Sequence, residues 1–247
     1  MRMRQVVCPM RTKLLLVGLA LLAILPSRAG AFARSSSVVA SINPADFSSR
    51  VDNPWFPLKP GTTYVYRGIK DGQPSRDVLK VTHKTKEIQG AACVVVQDLL
   101  YIRGKVHERT TDWYTQDKDG NVWYFGEQTA EFDKQGRVTS TEGTWQAGRN
   151  GAIPGIFFPA NPKLGRSGRQ EFDKGHAEDH FEVVGLNVTV KVPYMSSKRA
   201  LLTKEWTPLE PGVLDHKFYV RGIGTVLEQT VKGGDERNAL VSFQRGG

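Results

Sequence analysis

The stretch Ala91-Ala-Cys-Val-Val-Val-Gln-Asp-Leu-Leu-Tyr-Ile102, followed by Arg103-Gly104 and then Lys105-Val-His-Glu-Arg-Thr-Thr-Asp-Trp-Tyr-Thr-Gln116, decides the fold class. Both runs are rich in β-branched and aromatic residues, and polar side chains interrupt them at intervals of one or two rather than three or four. That spacing describes strands whose side chains alternate between two faces. The Arg-Gly pair between them is short and includes a residue that tolerates positive φ, so the two runs fold back on each other as a hairpin.

The same grammar extends in both directions. Turn signals recur at Asp71-Gly72, Asp119-Gly120, Gln135-Gly136, Gly222 and Gly233-Gly234. They divide the chain into about ten strands near 62–69, 77–88, 91–102, 105–116, 121–132, 137–146, 169–184, 186–206, 213–221 and 225–244, the last with a break at Gly233. No long segment carries helical periodicity. The expected class is all-β, an antiparallel meander that closes as a single barrel, half-barrel or sandwich to bury one face and protect its edges.

Upstream of the strands, Asn53-Pro-Trp-Phe-Pro-Leu-Lys-Pro-Gly61 cannot be helical, because three prolines hold it extended while Trp55, Phe56 and Leu58 offer apolar anchors. It reads as the entry to a domain spanning 53–247. Residues 34–52 are Ser-rich and weakly apolar and are expected as a flexible arm, with Asn43 and Pro44 set as N-cap and first residue of a short helical turn through Phe47. Residues 1–33 have the form of a cleaved signal peptide: Arg2, Arg4, Arg11 and Lys13 precede an apolar run from Leu14 to Leu25, and Ala31-Phe-Ala33 offers a cleavage site. That run is shorter than the roughly 20 residues a membrane-spanning helix needs. The mature chain is therefore expected to carry no transmembrane segment and to be secreted or periplasmic.

Removing the leader also changes the charge. Of 34 basic residues, five (Arg2, Arg4, Arg11, Lys13 and Arg28) leave with it, so 29 remain against 25 acidic residues, a balance of +4. Such a mild and dispersed charge does not make the cationic stripe of a nucleic-acid-binding surface, and no nucleic-acid partner is expected. Cys8 lies in the leader, which leaves Cys93 alone, without an internal disulfide partner and placed as a small hydrophobe within an apolar strand.

The residue types that could carry chemistry are scattered. His176-Ala-Glu-Asp-His180 places His176, Glu178 and His180 on one face if the segment is a strand, a two-His, one-carboxylate set suited to iron or zinc. Gly175 just before it suggests a turn with a solvated rim instead. Asp117-Lys-Asp-Gly-Asn121 has alternating oxygen ligands but puts glycine at the fourth place and Gln128 at the twelfth, so it reads as a hairpin turn and not a calcium loop. Acidic residues Glu171, Glu178, Asp179, Glu205, Glu210 and Asp215 crowd the second half, and Glu205 with His216 would form an acid–base pair if both faced one cavity. No Gly-x-Ser-x-Gly elbow and no phosphate-binding glycine loop occurs, and the sequence leaves any cofactor unknown.

Aromatic residues are the broader resource. Trp113, Tyr114, Trp123, Tyr124, Phe125 and Trp145 cluster in three consecutive strands. The stretch Gly148 to Gly168 contains Ile153-Pro-Gly-Ile-Phe-Phe-Pro159 and is apolar where loops are normally polar, so it reads as a plug over one end, a ligand lid or a docking patch. Together these features nominate Trp113, Trp123, Trp145, Phe157 and Phe158 as the lining of a site for an apolar small molecule.

These stretches also carry a resemblance. Asn53-Pro-Trp-Phe-Pro-Leu-Lys-Pro-Gly61, Asp112-Trp-Tyr-Thr-Gln-Asp-Lys-Asp-Gly-Asn-Val-Trp-Tyr-Phe-Gly-Glu127, Glu142-Gly-Thr-Trp145, Gly151-Ala-Ile-Pro-Gly155, His176-Ala-Glu-Asp179 and Trp206-Thr-Pro-Leu-Glu-Pro-Gly212 resemble an uncharacterised family of bacterial exported β-rich proteins. Phe218-Tyr-Val-Arg-Gly-Ile-Gly-Thr-Val226 resembles the closing strands of envelope β proteins of the lipoprotein-carrier type, whose curved sheets hold acyl chains. Arg221 departs from that pattern, where a small residue or proline is more usual. The resemblance implies export and a β fold. The expectation is thus a non-catalytic envelope protein that binds an apolar small molecule or lipid. The alternatives are a hydrolase or isomerase built on residues 176–180, with or without a metal, and a module that docks an envelope protein partner through residues 153–159.

Overall fold

The computed structural model describes residues 42–247; the leader and the first part of the expected arm lie outside the described residues. Sixteen strands are described: β1 (Phe47–Ser48), β2 (Thr63–Lys70), β3 (Gln73–Ile88), β4 (Ala91–Ile102), β5 (Lys105–Asp117), β6 (Val122–Phe132), β7 (Val138–Ser140), β8 (Trp145–Gln146), β9 (Ile153–Phe158), β10 (Ser167–Arg169), β11 (Glu171–Phe172), β12 (His180–Lys191), β13 (Ser196–Trp206), β14 (Leu214–Val220), β15 (Gly224–Lys232) and β16 (Arg237–Gln244). All pairings are antiparallel, as the hairpin signals demand. At Arg103-Gly104 both residues have positive φ, 51° and 78°, the conformation that matches a two-residue turn to the twist of its flanking strands.

Two meanders make up the sheet. Strands β2 to β6 pair in sequence, β12 to β16 pair in sequence, and β16 pairs with β2 to join them. The remaining gap lies between β9, which pairs with β6, and β12. One extended segment bridges it: β10 pairs with β12, β11 pairs with β9, and Gln170 between them donates its N–H to Asp179 O at 2.7 Å and its side-chain amide to Phe157 O at 3.2 Å. The sheet thereby returns on itself as a nearly closed barrel, which removes the edges an open meander would expose.

Several expectations change. The strand count rises from about ten to sixteen: β1 and β9 fall in stretches not expected as strands, 137–146 is β7 and β8, 225–244 is β15 and β16, and the expected strands 169–184 and 186–206 are recut by the turns at 173–179 and Val192–Met195 into β10, β11, β12 and β13. The stretch Ile153–Phe158 is neither plug nor lid; it is β9, a strand of the wall. Pro154 and Gly155 hide it from a propensity reading, yet a Cβ at Gly155 would collide with the backbone of Arg169 and Gln170, so the glycine is what lets the bridging segment approach. The described end of the arm is packed against the wall. Asn43 caps a 3-10 turn at Pro44–Asp46, β1 pairs with β5, and the Phe47 ring meets Trp123 and Phe125 edge-on at 5.6 and 5.4 Å.

One end of the barrel is sealed by residues 51–61. Val51, Phe56 and Leu58 are buried there, and Phe56 enters the barrel against Tyr114 and Phe157. Asn53 fixes the segment with all of its polar groups: its Nδ2 donates to Gly120 O and Pro159 O, its Oδ1 accepts from Trp55 N, and its backbone N–H donates to Gln116 Oε1. Tyr64 Oη adds bonds to Pro57 O and Ile223 O.

Candidate functional site

Alternation along each strand sets the chemistry of the interior. On β5 it turns Glu108, Thr110, Asp112 and Tyr114 toward the same side; on β3 it does so for Ser75, Asp77 and Leu79, and on β14 for Asp215, Lys217 and Tyr219. The result is a polar lumen. A chamber of about 240 Å³ is lined by the aromatic rings of Phe56, Tyr114, Tyr124 and Phe157 together with the acids Asp77, Asp98, Glu127, Glu171 and Glu228. A second chamber of about 200 Å³ shares Asp77, Asp98, Glu228 and Asn238 with the first and extends to Lys70, Glu108 and Glu236.

A bulge concentrates the acids. Asp112 faces Glu127 and Tyr114 faces Tyr124, which leaves Phe125 and Gly126 on β6 opposite Trp113 alone. Gly126 has φ 133°, and a Cβ there would strike the Trp145 backbone oxygen, so the bulge needs glycine. Its effect is to bring both Tyr124 and Glu127 inward. Tyr124 Oη donates to Asp112 Oδ1 at 2.6 Å and lies 3.1 Å from Glu127 Oε2, while Trp145 Nε1 donates to Glu171 Oε2 at 2.7 Å.

Burial acts on these carboxyls more strongly than their neutral donors do. Asp112 is pushed up to about 7 and Glu171 to about 8, in each case first by loss of water; the hydrogen bonds from Tyr124 and Trp145 oppose the rise. Glu127 is raised well above the usual range by burial and then by the charges of Asp112 and Glu171. Asp77 is raised in the same way, by burial and then by Asp98. Lys217 behaves oppositely: burial disfavours its charge, but Glu205 at 3.0 Å and Glu228 at 3.3 Å outweigh it and hold the ammonium protonated.

The aromatics nominated from sequence divide between inside and outside. Phe157 lines the larger chamber, and Phe158 is buried against Tyr219 with ring centroids 4.7 Å apart. Trp145 is buried against Tyr124 and serves Glu171. Trp113 and Trp123 line neither chamber: Lys86 Nζ sits 3.1 Å from the Trp113 ring centroid, and Trp123 lies under Phe47 with Nε1 donating to Asp117 at 2.7 Å. Alternation explains the split, since each of these residues precedes an inward tyrosine, Tyr114 or Tyr124. The Asp117 carboxylate also accepts from the N–H groups of Asp119 and Asn121, so the 117–121 segment is a donor-filled hairpin turn.

The structure gives His176, Glu178 and His180 separate partners. His176 is exposed, with Nδ1 2.9 Å from Glu142 Oε1; Glu178 accepts from Gly175 N at 2.8 Å; His180 meets the Glu178 carbonyl and stacks on Trp206 at 5.6 Å. Among the described residues no three of His, Cys, Asp and Glu converge as a metal set. Glu205 and His216 do not meet as an acid–base pair either. Glu205 pairs in register with Asp215, whereas His216 pairs with Lys204 on the opposite face. Cys93 is fully buried, and burial pushes its thiol up to about 12, as befits a packing residue.

Sequence reading flagged Glu171, Asp179 and Asp215 but missed Asp77, Asp98, Asp112, Glu127 and Lys217. A signal was present: Glu108, Thr110, Asp112 and Tyr114 recur at every second residue, a polar stripe on one strand face.

No family model and no curated protein matches the chain. Among solved structures, a "putative exported protein with YmcC-like fold" from Bacteroides fragilis is similar over 77% of this chain and 99% of that one, at 15% identity and a TM-score of 0.45. A "putative lipoprotein" from Parabacteroides distasonis is similar over 78% of this chain and all of that one, at 10% identity and a TM-score of 0.42.

Proposed function

We propose that this is an exported, non-catalytic binding protein that holds a small polar solute inside its barrel. One observation carries the reading. The side-chain oxygens Asp77 Oδ1 and Asp98 Oδ1, and the neighbouring Ser75 Oγ, are buried at the lumen without a hydrogen-bond partner among the described residues. Leaving such atoms unsatisfied costs on the order of 1–3 kcal/mol each, and a fold with no use for them would replace them with apolar side chains. A solute that donates to them removes that cost on binding.

The carboxylate wall also argues against the apolar or lipid ligand expected from sequence, because an acyl chain would bury these acids without a donor. Docking through residues 153–159 gains no support from a strand whose Phe157 and Phe158 point inward. His176 and Glu178 lie in the turn 173–179, His180 opens β12, and each is engaged with a separate partner, so these three side chains converge on no common point and the hydrolase or isomerase reading gains no support from them.

The test is native mass spectrometry of protein produced with its leader and recovered from the extracytoplasmic fraction. A small adduct that survives gentle desalting and is lost on unfolding is the expected result. Uniformly bare protein, with no rise in Tm across a panel of small polar solutes, would overturn the reading.

A further inference from the structure

We infer that the solute is an organic cation, its ammonium group held by the carboxyls of Asp77 and Asp98 and its carbon body resting on the aromatic wall of Tyr114, Phe157 and Phe56. This rests on the lumen-binding reading above and narrows it to one charge class.

Charge balance supplies the first argument. The lumen's own ammonium groups are already committed, Lys217 to Glu205 and Glu228, and Lys70 to Glu236 at 3.3 Å. Among the described residues, no salt bridge reaches Asp77, Asp98, Asp112, Glu127 or Glu171, and the donors of the last three are neutral Tyr and Trp groups. An anion would be repelled by any of these carboxyls that ionises, a neutral solute would leave them protonated, and a cation lets them ionise against its own charge.

The unpartnered atoms locate the charge. Asp77 and Asp98 sit on adjacent strands as a diagonal pair two register positions apart, on one face, with Asp77 opposite Leu100 and Asp98 opposite Leu79. Their orphaned oxygens are both acceptors; a proton shared between the two carboxyls joins them without a solute, and an incoming N–H or O–H donor can take its place, with a cationic N–H donor the strongest. Ser75, 7% exposed and two residues before Asp77, adds a hydroxyl on the same face. Since no three carboxylates or imidazoles among the described residues converge as a metal set, the site suits a cation with directional N–H donors better than a bare metal ion.

The aromatic lining of the same chamber fits the rest of such a molecule. Tyr114 and Tyr124 stack at 4.6 Å, Phe157 meets them edge-on at 5.1 and 5.7 Å, and Phe56 closes the corner 4.7 Å from Phe157. Their π faces attract cations and their edges pack against methylene groups, the combination used to recognise alkylammonium ligands. At about 240 Å³ the chamber equals the space of about eight waters at roughly 30 Å³ each, enough for a short aliphatic amine.

Isothermal titration of the whole processed protein at pH 8 tests this with 1,4-diaminobutane and choline as probes, 1,4-butanediol as the neutral match and succinate as the anionic one. At least one cation should bind at least tenfold more tightly than both controls. Asp98→Asn and Asp77→Asn, which keep shape while removing charge, should each weaken it tenfold or more without lowering Tm. Equal binding of the diol or succinate, no cation binding at all, or undiminished binding in both variants would overturn the inference. A neutral or anionic adduct in the native mass spectrum would overturn the charge class while leaving the lumen reading intact; bare protein would remove both.

Discussion

The sealed end of the barrel and its lumen are built from similar residue types but treat them in opposite ways. At the sealed end every polar group of Asn53 has a partner, Tyr64 Oη has two, and Phe56 drives the segment 51–61 into the interior. In the lumen, Asp77, Asp98 and Ser75 leave oxygens unpaired, and the chamber's Lys217 is already bound to Glu205 and Glu228. The first arrangement is what stability alone selects. The second is a cost that a fold bears only where those groups have another task. The contrast teaches that the lumen, not the apolar seal, is where function should be sought.

Breaking the seal should have the largest effect. Phe56 is 8% exposed and contacts Tyr114 and Phe157, so Phe56→Ala deletes a buried ring whose loss costs about 3–5 kcal/mol. In a domain of this size that corresponds to a fall in Tm on the order of 10 °C, read by thermal or urea unfolding. A loss under about 1 kcal/mol would mean that the seal contributes little and that the two ends are less different than their bonding suggests.

The lumen should betray itself through pH. Carboxyls whose folded pKa is raised bind protons more tightly in the native state, so their contribution is fully present below the unfolded carboxylate values and is lost as pH climbs through the folded ones. For Asp112 and Glu171 those folded values are about 7 and about 8, so stability should fall between pH 4 and pH 8, the reverse of ordinary acid denaturation. The expected decline between pH 5 and 8.5 is a few kcal/mol, since each unit of pKa shift corresponds to about 1.4 kcal/mol. Denaturant midpoints at the two pH values measure it. A saturating cation should flatten the decline, and a midpoint that rises with pH would show that these acids are not held protonated.

How much of this was legible in the sequence follows from range. The hairpins of β2 to β6 could be read because Asp71-Gly72 and Arg103-Gly104 are local signals for local turns. Closure could not, because it depends on Gln170 joining two edges that only the finished sheet brings together, and on a glycine at 155 whose need arises from that approach. The aromatic reading went astray at Trp113 and Trp123 for a related reason. Alternation says that neighbours face opposite sides, but only the assembled barrel says which side is the lumen. The acids on β3 to β6 fell to the opposite bias, since a charged residue in a strand is ordinarily taken as solvent-facing, whereas here the inward face is the polar one.

The outer wall offers the smallest and most discriminating effect. Lys86 lies over Trp113 at 3.1 Å, a cation against an aromatic face at the surface, outside both chambers. Burial, followed by the charge of Arg149, lowers its pKa, so part of the attraction is offset by lost hydration. Lys86→Gln should therefore cost no more than about 0.5–1 kcal/mol, the range for such contacts at exposed sites. It should alter tryptophan emission, because the group nearest the Trp113 ring changes, while leaving the affinity for lumen cations within twofold of the wild type. A larger loss of binding would mean that the wall is thin to electrostatics and that inner and outer charges act as one field; an unchanged affinity keeps the lumen a separate compartment whose acids answer only to what enters it.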